Sequence, residues 1–399
     1  MGDGIGPRAM RLFVAVCLAT LVLPVFLTGC GEGRESEGET LRIGAVLSLS
    51  GSLAGMGEPA RRAIEVEVER INAEGGVNGR TVEVLFEDDA TDEAKAVAAT
   101  SRLIEQDGVL AIIGGNGTGP SMAMRQEIER SEVPQVALAG GSKVTDEFSR
   151  WVFQTPWPNR VVVPVTLRHL QAEGITRLAL IVEAGGYGQD GRDVTESMVA
   201  DFGIEVVAAE QFNRDDTDMT PQITKIRAAD PDAVLMWAAG AEAATILKNN
   251  AAVGGDDPLR FFGGPGNGRL EFVEGAGDAA EGFEFAAGRI LLPETYGVGT
   301  EGYEVAMGFI DRYTERWGEG PDTFAGHAYD AIHIIVEAMR RLPVEFTPAE
   351  LRDEIERTTG LIAVGGTFTF SETDHNGMSE DDLIMYHIAG GVWIPAEEV

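Results

Sequence analysis

The chain has 399 residues, 31 of them basic and 65 acidic, for a formal net charge of −34. That length exceeds one ordinary core and suits two lobes, and the acidic surface repels nucleic acid and anionic lipid head groups. Its two cysteines are Cys17 and Cys30, so a body that begins at Cys30 has no other thiol. Disulfides, thiolate metal sites and cysteine nucleophiles are thereby excluded from it.

At the N-terminus, Arg8 and Arg11 precede an apolar run from Leu12 to Leu27 that Pro24 interrupts. A bilayer span needs about 20 apolar residues, and this run is shorter. Small residues then lead into Cys30, which is the layout of a secretory signal. Met10 is an alternative start, because residues 1–9 add nothing a signal needs. The ending Leu27-Thr28-Gly29-Cys30 resembles the bacterial lipobox. That resemblance implies removal of residues 1–29 and a lipid on Cys30, which anchors the body to a membrane. Residues 30–40 (CGEGRESEGET) read as a lipidated, flexible tether. No later segment is long and apolar enough to span a bilayer.

Leu41 to Leu49 reads as a buried strand and Ser50 to Gly57 as a glycine-rich loop. A helix is expected from Pro59, with Ala60, Ala63, Ile64, Val68 and Ile71 on its apolar face, ending at Gly75-Gly76. A strand from Thr81 to Phe86, a helix from Asp92 to Asp107 and a strand from Val109 to Ile113 follow. Pro120 opens the next helix after a loop from Gly114 to Gly119. This alternation means parallel βαβ units.

The pattern restarts after Trp157. Strands are expected at 177–183, 204–210 and 233–238, with helices at 190–202, 221–229 and 241–252, and Phe261-Phe262 begins a further strand. Later helices are expected at 300–317, 325–342 and 348–358. Strands at 367–370 and 382–387 flank an Asn376-Gly377 turn and read as a hairpin. The fold class is α/β, with two successive parallel-sheet modules.

The stretch IGAVLSLSGSLAGMGEPARRAIEVEVERINAEGGVNGRTVEVLFEDDATDEAKAVAA resembles the opening of the leucine/isoleucine/valine-type periplasmic binding proteins. VPQVALAGGS, WVFQTP, EAGGYGQDGRD, the run from Asp216 to Asn250 and GDAAEGF extend the resemblance across Leu41 to Pro395. The resemblance implies two Rossmann-like lobes joined by three crossovers near Thr155, Ala286 and Phe370. One lobe is then 41–155 plus 287–370, and the other 156–286 plus 371–399. Ligand is expected in the cleft between them, with hinge closure around it.

In open parallel sheets, ligands gather at the carboxyl ends of strands. The loops there span 48–57, 114–121, 139–143, 183–190, 237–241 and 263–267, the last closing on Asn267. Thr118 stands where a helix begins, and free amides with a positive dipole end suit a carboxylate. Gly140 and Gly141 let backbone approach closely, and Ser142 adds a hydroxyl. The resemblance implies that Thr118, Gly141 and Ser142 hold the ligand carboxylate and that Tyr187, in a Gly-Tyr-Gly loop, reaches it from across the cleft. Ordinary helix capping is the alternative for Thr118 and Ser142. Met56, Trp157 and Trp237 are further candidates for the pocket wall.

Two positions depart from the amino-acid binders. Pro265 stands where that family carries an acidic partner for the ligand ammonium, and Ala239 replaces a nearby tyrosine. A closed cleft without that carboxylate leaves an ammonium poorly compensated. A carboxylate or amide lacking an ammonium is the better guest. Glu183, Asp190 and Glu242 stay open as substitutes for the missing acid.

Signals for catalysis are weak. The five histidines, at 169, 327, 333, 375 and 387, form no His-Glu-x-x-His and read as structural. No Gly-x-Ser-x-Gly elbow or Gly-Lys-Ser/Thr phosphate loop occurs. Gly115-Asn116-Gly117-Thr118-Gly119 lacks the third glycine of a dinucleotide loop, and residues 374–382 lack the full calcium-loop spacing. The expected function is therefore a monomeric, lipid-anchored, extracytoplasmic solute receptor of an ABC importer, binding a small amino-acid-like, carboxylate or amide ligand in the cleft between the lobes. It works with permease subunits and without enzyme activity, metal or cofactor. A ligand-sensing subunit and a lipid-anchored hydrolase are the alternatives.

Overall fold

The computed structural model describes residues 40–214 and 216–396. The signal, Cys30 and residues 31–39 of the tether lie outside the described residues. No helix among those described is long and apolar enough to cross a membrane.

The chain begins β1 (Leu41–Leu47), α1 (Ala54–Ala73), β2 (Val82–Asp88), α2 (Glu93–Glu105), β3 (Ile112–Gly114) and α3 (Thr118–Ser131). It continues through β4 (Gln135–Ala137), the single turn α4 (Lys143–Asp146), β5 (Val152–Gln154) and α5 (Asn159–Ala172). Next come β6 (Arg177–Glu183), α6 (Gly186–Met198), β7 (Glu205–Phe212), α7 (Thr220–Ala228), β8 (Ala233–Trp237) and α8 (Glu242–Gly254). Then follow β9 (Phe261–Gly263), α9 (Leu270–Ala276), β10 (Glu284–Gly288), α10 (Glu301–Trp317), α11 (Thr323–Arg341) and α12 (Pro348–Glu356). The short β11 (Leu361–Ile362) and β12 (Thr367–Phe368) precede β13 (Leu383–Ala389) and β14 (Val392–Pro395).

Strands β1 to β5 form one parallel sheet in the order β2-β1-β3-β4-β5. A second sheet has the order β14-β13-β10-β9-β8-β6-β7, parallel from β7 to β10, with β13 and β14 antiparallel at its edge. Both sheets reverse their strand order beside their first strand, β1 or β6. Ligands of doubly wound sheets bind at such switch points. The central strands are buried on both faces, which explains their nearly continuous apolar runs. Helices α10 and α11 pack on α1, beside the five-stranded sheet.

Some elements differ from the expected pattern. Helix α1 starts at Ala54 and carries Pro59 inside it. The Leu53 carbonyl accepts from the N–H groups of both Met56 and Gly57, so a tight first turn precedes the proline. A Cβ on Gly57 would lie 2.1 Å from the Ser48 carbonyl oxygen, so this glycine lets the helix start pack on the end of β1. Tyr187 belongs to the first turn of α6 rather than to a loop. The expected hairpin around Asn376-Gly377 is absent, because β12 pairs with β11 while β13 pairs with β10 and β14. Asp374 accepts from the N–H groups of Asn376 and Gly377, which makes the Asn-Gly step a turn within a connection.

The chain passes between the sheets after β5, after β10 and before β13. The second passage starts beyond Gly288 rather than at Ala286, because Ala286 is paired with Met385 within the sheet. Asn376 knits the third passage to the first, its Nδ2 donating to the carbonyls of Gln154 and Pro156 at 3.1 and 2.9 Å. His375 accompanies it, stacked on Phe153 at 4.1 Å with Nδ1 2.9 Å from the Val152 carbonyl. Trp157, on the first passage, lays its ring over Gly288, where a Cβ would lie 2.2 Å from ring carbons.

Gly114 ends β3 at φ +118°, and a Cβ there would meet the Val46 carbonyl oxygen at 1.9 Å. Gly114→Ala is expected to cost about 3 kcal/mol in urea unfolding. Gly174→Ala, at φ +75° but in open space, is expected to cost about 1 kcal/mol.

Candidate functional site

A cavity lies where the two switch points face each other. The β3–α3 loop brings Asn116, Gly117 and Thr118, α6 brings Tyr187, and the end of β6 brings Glu183. Trp157 enters from the first passage, and Phe324 and His327 from the first turns of α11. Leu53, Met56, Leu138, Pro156, Ala239 and Pro265 complete mostly apolar walls. The empty space is about 50 Å³, room for one or two waters. A larger guest enters only when the walls part.

Among the described residues, four buried polar atoms in this lining have no hydrogen-bond partner: Asn116 Nδ2, Thr118 Oγ1, Trp157 Nε1 and His327 Nδ1. The Asn116 amide is oriented by the Ser48 N–H, which donates to its Oδ1 at 2.9 Å, so its NH2 end is the one left without a partner. Thr118 opens α3 with no side chain capping that end. Orphan N–H groups and the positive dipole end therefore add to its hydroxyl. Burial lowers the His327 pKa to about 3, so its ring is neutral. Burial likewise raises the Tyr187 phenol, with Glu183 and Asp190 adding to the shift, so it stays protonated.

Glu183 is the only carboxylate in the lining among the described residues, and Arg214 occupies it at 2.9 and 3.1 Å. Burial opposes the charge of Arg214, yet the bond to Glu183 raises its pKa and keeps it cationic. Asp190 and Glu242, the other acids considered from sequence, lie outside the lining. Asp190 accepts from Ser142 N–H, Lys143 N–H and Asn159 Nδ2, and Glu242 accepts from Gly240 N–H. An ammonium entering this cavity finds no unpaired carboxylate among the described residues.

The structure sorts the residues singled out in the sequence. Met56, Thr118, Gly140, Trp157 and Tyr187 line the cavity, whereas Gly141, Ser142, Trp237 and Asn267 stand behind it. Gly141 backs Thr118, where a Cβ would lie 2.5 Å from Thr118 Cγ2. Ser142 is spent on a contact between the sheets. Its N–H donates to Asp190 of α6 at 2.8 Å, and its hydroxyl accepts from Arg160 N–H of α5 at 2.9 Å. Trp237 donates to Thr195 and meets Tyr187 edge-on at 5.7 Å, bracing that ring from behind. Asn267 donates to the Ala238 carbonyl. Asn116, Arg214, Phe324 and His327 were not candidates. The Asn-Gly-Thr triplet and the lone histidine carried no spacing that marked them.

Among the described residues, no cluster of His, Cys, Asp or Glu could hold a metal ion. Two facing α/β sheets, three passages and a cavity at both switch points define a type I periplasmic binding protein. The periplasmic binding protein family model matches residues 40–390, and the chain belongs to that family. It is 25% identical over 367 residues to Leu/Ile/Val-binding protein homolog 7 of Brucella suis, covering 86% of this chain and 88% of the relative. It superposes with TM-score 0.78 and 25% identity on a branched-chain amino acid transporter substrate binding protein of Streptococcus pneumoniae in complex with isoleucine. That match covers 89% of this chain and 98% of the other. A solute binding protein of Rhodopseudomonas palustris in complex with benzoate shares the fold, with TM-score 0.78, 20% identity and coverage of 90% and 95%.

Two expectations follow from the buried acids. Asp190→Ala strands two backbone donors and an amide. It is expected to cost about 3 kcal/mol in urea unfolding, with Asp190→Asn costing less because its amide oxygen still accepts. Asp322 caps α11 through Ala325 N–H at 2.8 Å, and burial raises its pKa from 3.8 to about 7, with Glu271 adding and Arg269 opposing. The folded state thus holds this proton more tightly than the unfolded chain. Its contribution is full below about pH 4 and is lost as pH rises to about 7. Asp322→Asn keeps a capping oxygen without the titration. The melting temperature of the variant relative to the parent is expected to climb across that window.

Proposed function

We propose that the chain is an extracytoplasmic solute-binding lipoprotein of an ABC importer, tethered through Cys30 and working as a monomer. Its ligand is a small carboxylate with an apolar body and no ammonium. The lobes are 41–155 plus 289–370 and 156–288 plus 371–396, and they close on the ligand as a hinge. Closure presents a surface that permease subunits recognise, so binding free energy becomes a change of population. No chemistry is performed on the ligand.

One observation carries the ligand class. The cavity offers unpartnered donors at Asn116 and at the start of α3, while its one carboxylate is already neutralised by Arg214. A carboxylate oxygen satisfies those donors, and an ammonium has nothing equivalent. The fold also accepts such a guest, since the Rhodopseudomonas palustris protein is in complex with benzoate. Apolar and aromatic walls suit the remainder of the molecule.

Calorimetry with monocarboxylates from isobutyrate to benzoate, alongside leucine and isoleucine, tests this reading. At least one carboxylate is expected to bind about tenfold or more tightly than either amino acid. Thr118→Val is expected to weaken that carboxylate by about tenfold. Micromolar isoleucine binding with indifferent carboxylates contradicts it.

A further inference from the structure

The carboxylate reading accounts for two of the four unpartnered atoms. Asn116 and Thr118 share the β3–α3 loop. Trp157 Nε1 and His327 Nδ1 belong to other segments, the first passage and α11. Their rings meet at 4.8 Å and 67°, an edge contact, and both line the cavity. Each residue is almost wholly buried, at 2% and 3% exposure, so these atoms are withdrawn from bulk solvent. Indole nitrogen can only donate. The uncharged imidazole keeps one nitrogen able to accept. Side by side, the pair presents a donor and an acceptor, which is the complement of a hydroxyl group.

Resting on the carboxylate reading, we propose that the solute is a hydroxylated carboxylate. Its hydroxyl accepts from Trp157 Nε1–H and donates to His327 Nδ1, while its carboxylate sits at Asn116 and Thr118. The surroundings favour this specific use. Trp157 leans on Gly288, the residue from which the second passage leaves β10, and the Thr155 hydroxyl donates to the His327 carbonyl at 3.0 Å. The hydroxyl subsite is thus built on the passages that bend when the lobes move. A ligand that lacks the hydroxyl leaves both atoms buried and unpaired in the closed form, the strongest ground on which a site rejects an analogue.

The test is calorimetry on the intact soluble body, with benzoate against the monohydroxybenzoates and isovalerate against its hydroxylated derivatives. In the parent protein, at least one hydroxylated compound is expected to bind about tenfold or more tightly than its unsubstituted counterpart. That gap is expected to shrink to about twofold or less in Trp157→Phe and in His327→Phe, with His327→Gln retaining part of it. Unsubstituted acids that bind as tightly as every hydroxylated form overturn the hydroxyl subsite and leave the carboxylate reading standing. So does a gap that survives in both phenylalanine variants. Failure of every carboxylate to bind overturns both.

Discussion

A buried donor without a partner costs free energy, and this fold gathers a set of them around one small cavity. Asn116, Thr118, Trp157 and His327 come from three separate segments, yet each leaves a polar atom unmatched in the same space. Elsewhere in the core some polar side chains are satisfied by backbone groups, as Asp330 is by the N–H groups of Val364 and Gly365, while other buried atoms, Arg269 Nε and Trp317 Nε1 among them, also lack a partner. What sets these four apart is that they line one cavity, where a guest can complete them. The apolar walls sharpen this, because low local polarity strengthens whatever bond the guest supplies and raises the cost of leaving one unmade.

The same constraint connects binding to motion. Contacts between the sheets include polar ones: Asp190 of α6 caps the Ser142–Lys143 turn, and Thr323 donates to the Gly268 carbonyl. They add to the ligand's own bonds and are exchangeable for water when the walls separate. The passages, by contrast, are knitted by Asn376, His375 and Thr155 to buried carbonyls. In the proposed closure the passages carry the rotation of one lobe against the other while the ties at the rim exchange with water, and ligand bonds made from both lobes bias that rotation.

Much of the architecture was legible in the sequence, because parallel strands buried on both faces write themselves as unbroken apolar runs. β1, β6 and β8 are of this kind. The three-residue strands β4 and β5 carry too few residues for any period, and only pairing to neighbours defines them. Pro59 and the Asn376-Gly377 step misled for a common reason: local chemistry favours a helix start and a hairpin, and tertiary contacts outweighed it. Of the site, the helix start at Thr118 was visible from glycine placement, and so was the involvement of Tyr187, although the glycines around it begin α6 rather than form a loop. His327 was not, since a single histidine on an apolar helix face reads as core until its unpaired nitrogen is seen. Ser142 shows the converse. Its position after a Gly-Gly pair suits ligand contact, but Arg160 and Asp190 already occupy its hydroxyl and N–H.

Mass spectrometry of whatever small molecule is released when the purified, unsupplemented protein is denatured addresses the heart of this reading. A hydroxylated carboxylate without a primary amine, in near-stoichiometric amount, is the expected finding. A free α-amino acid in that position contradicts it.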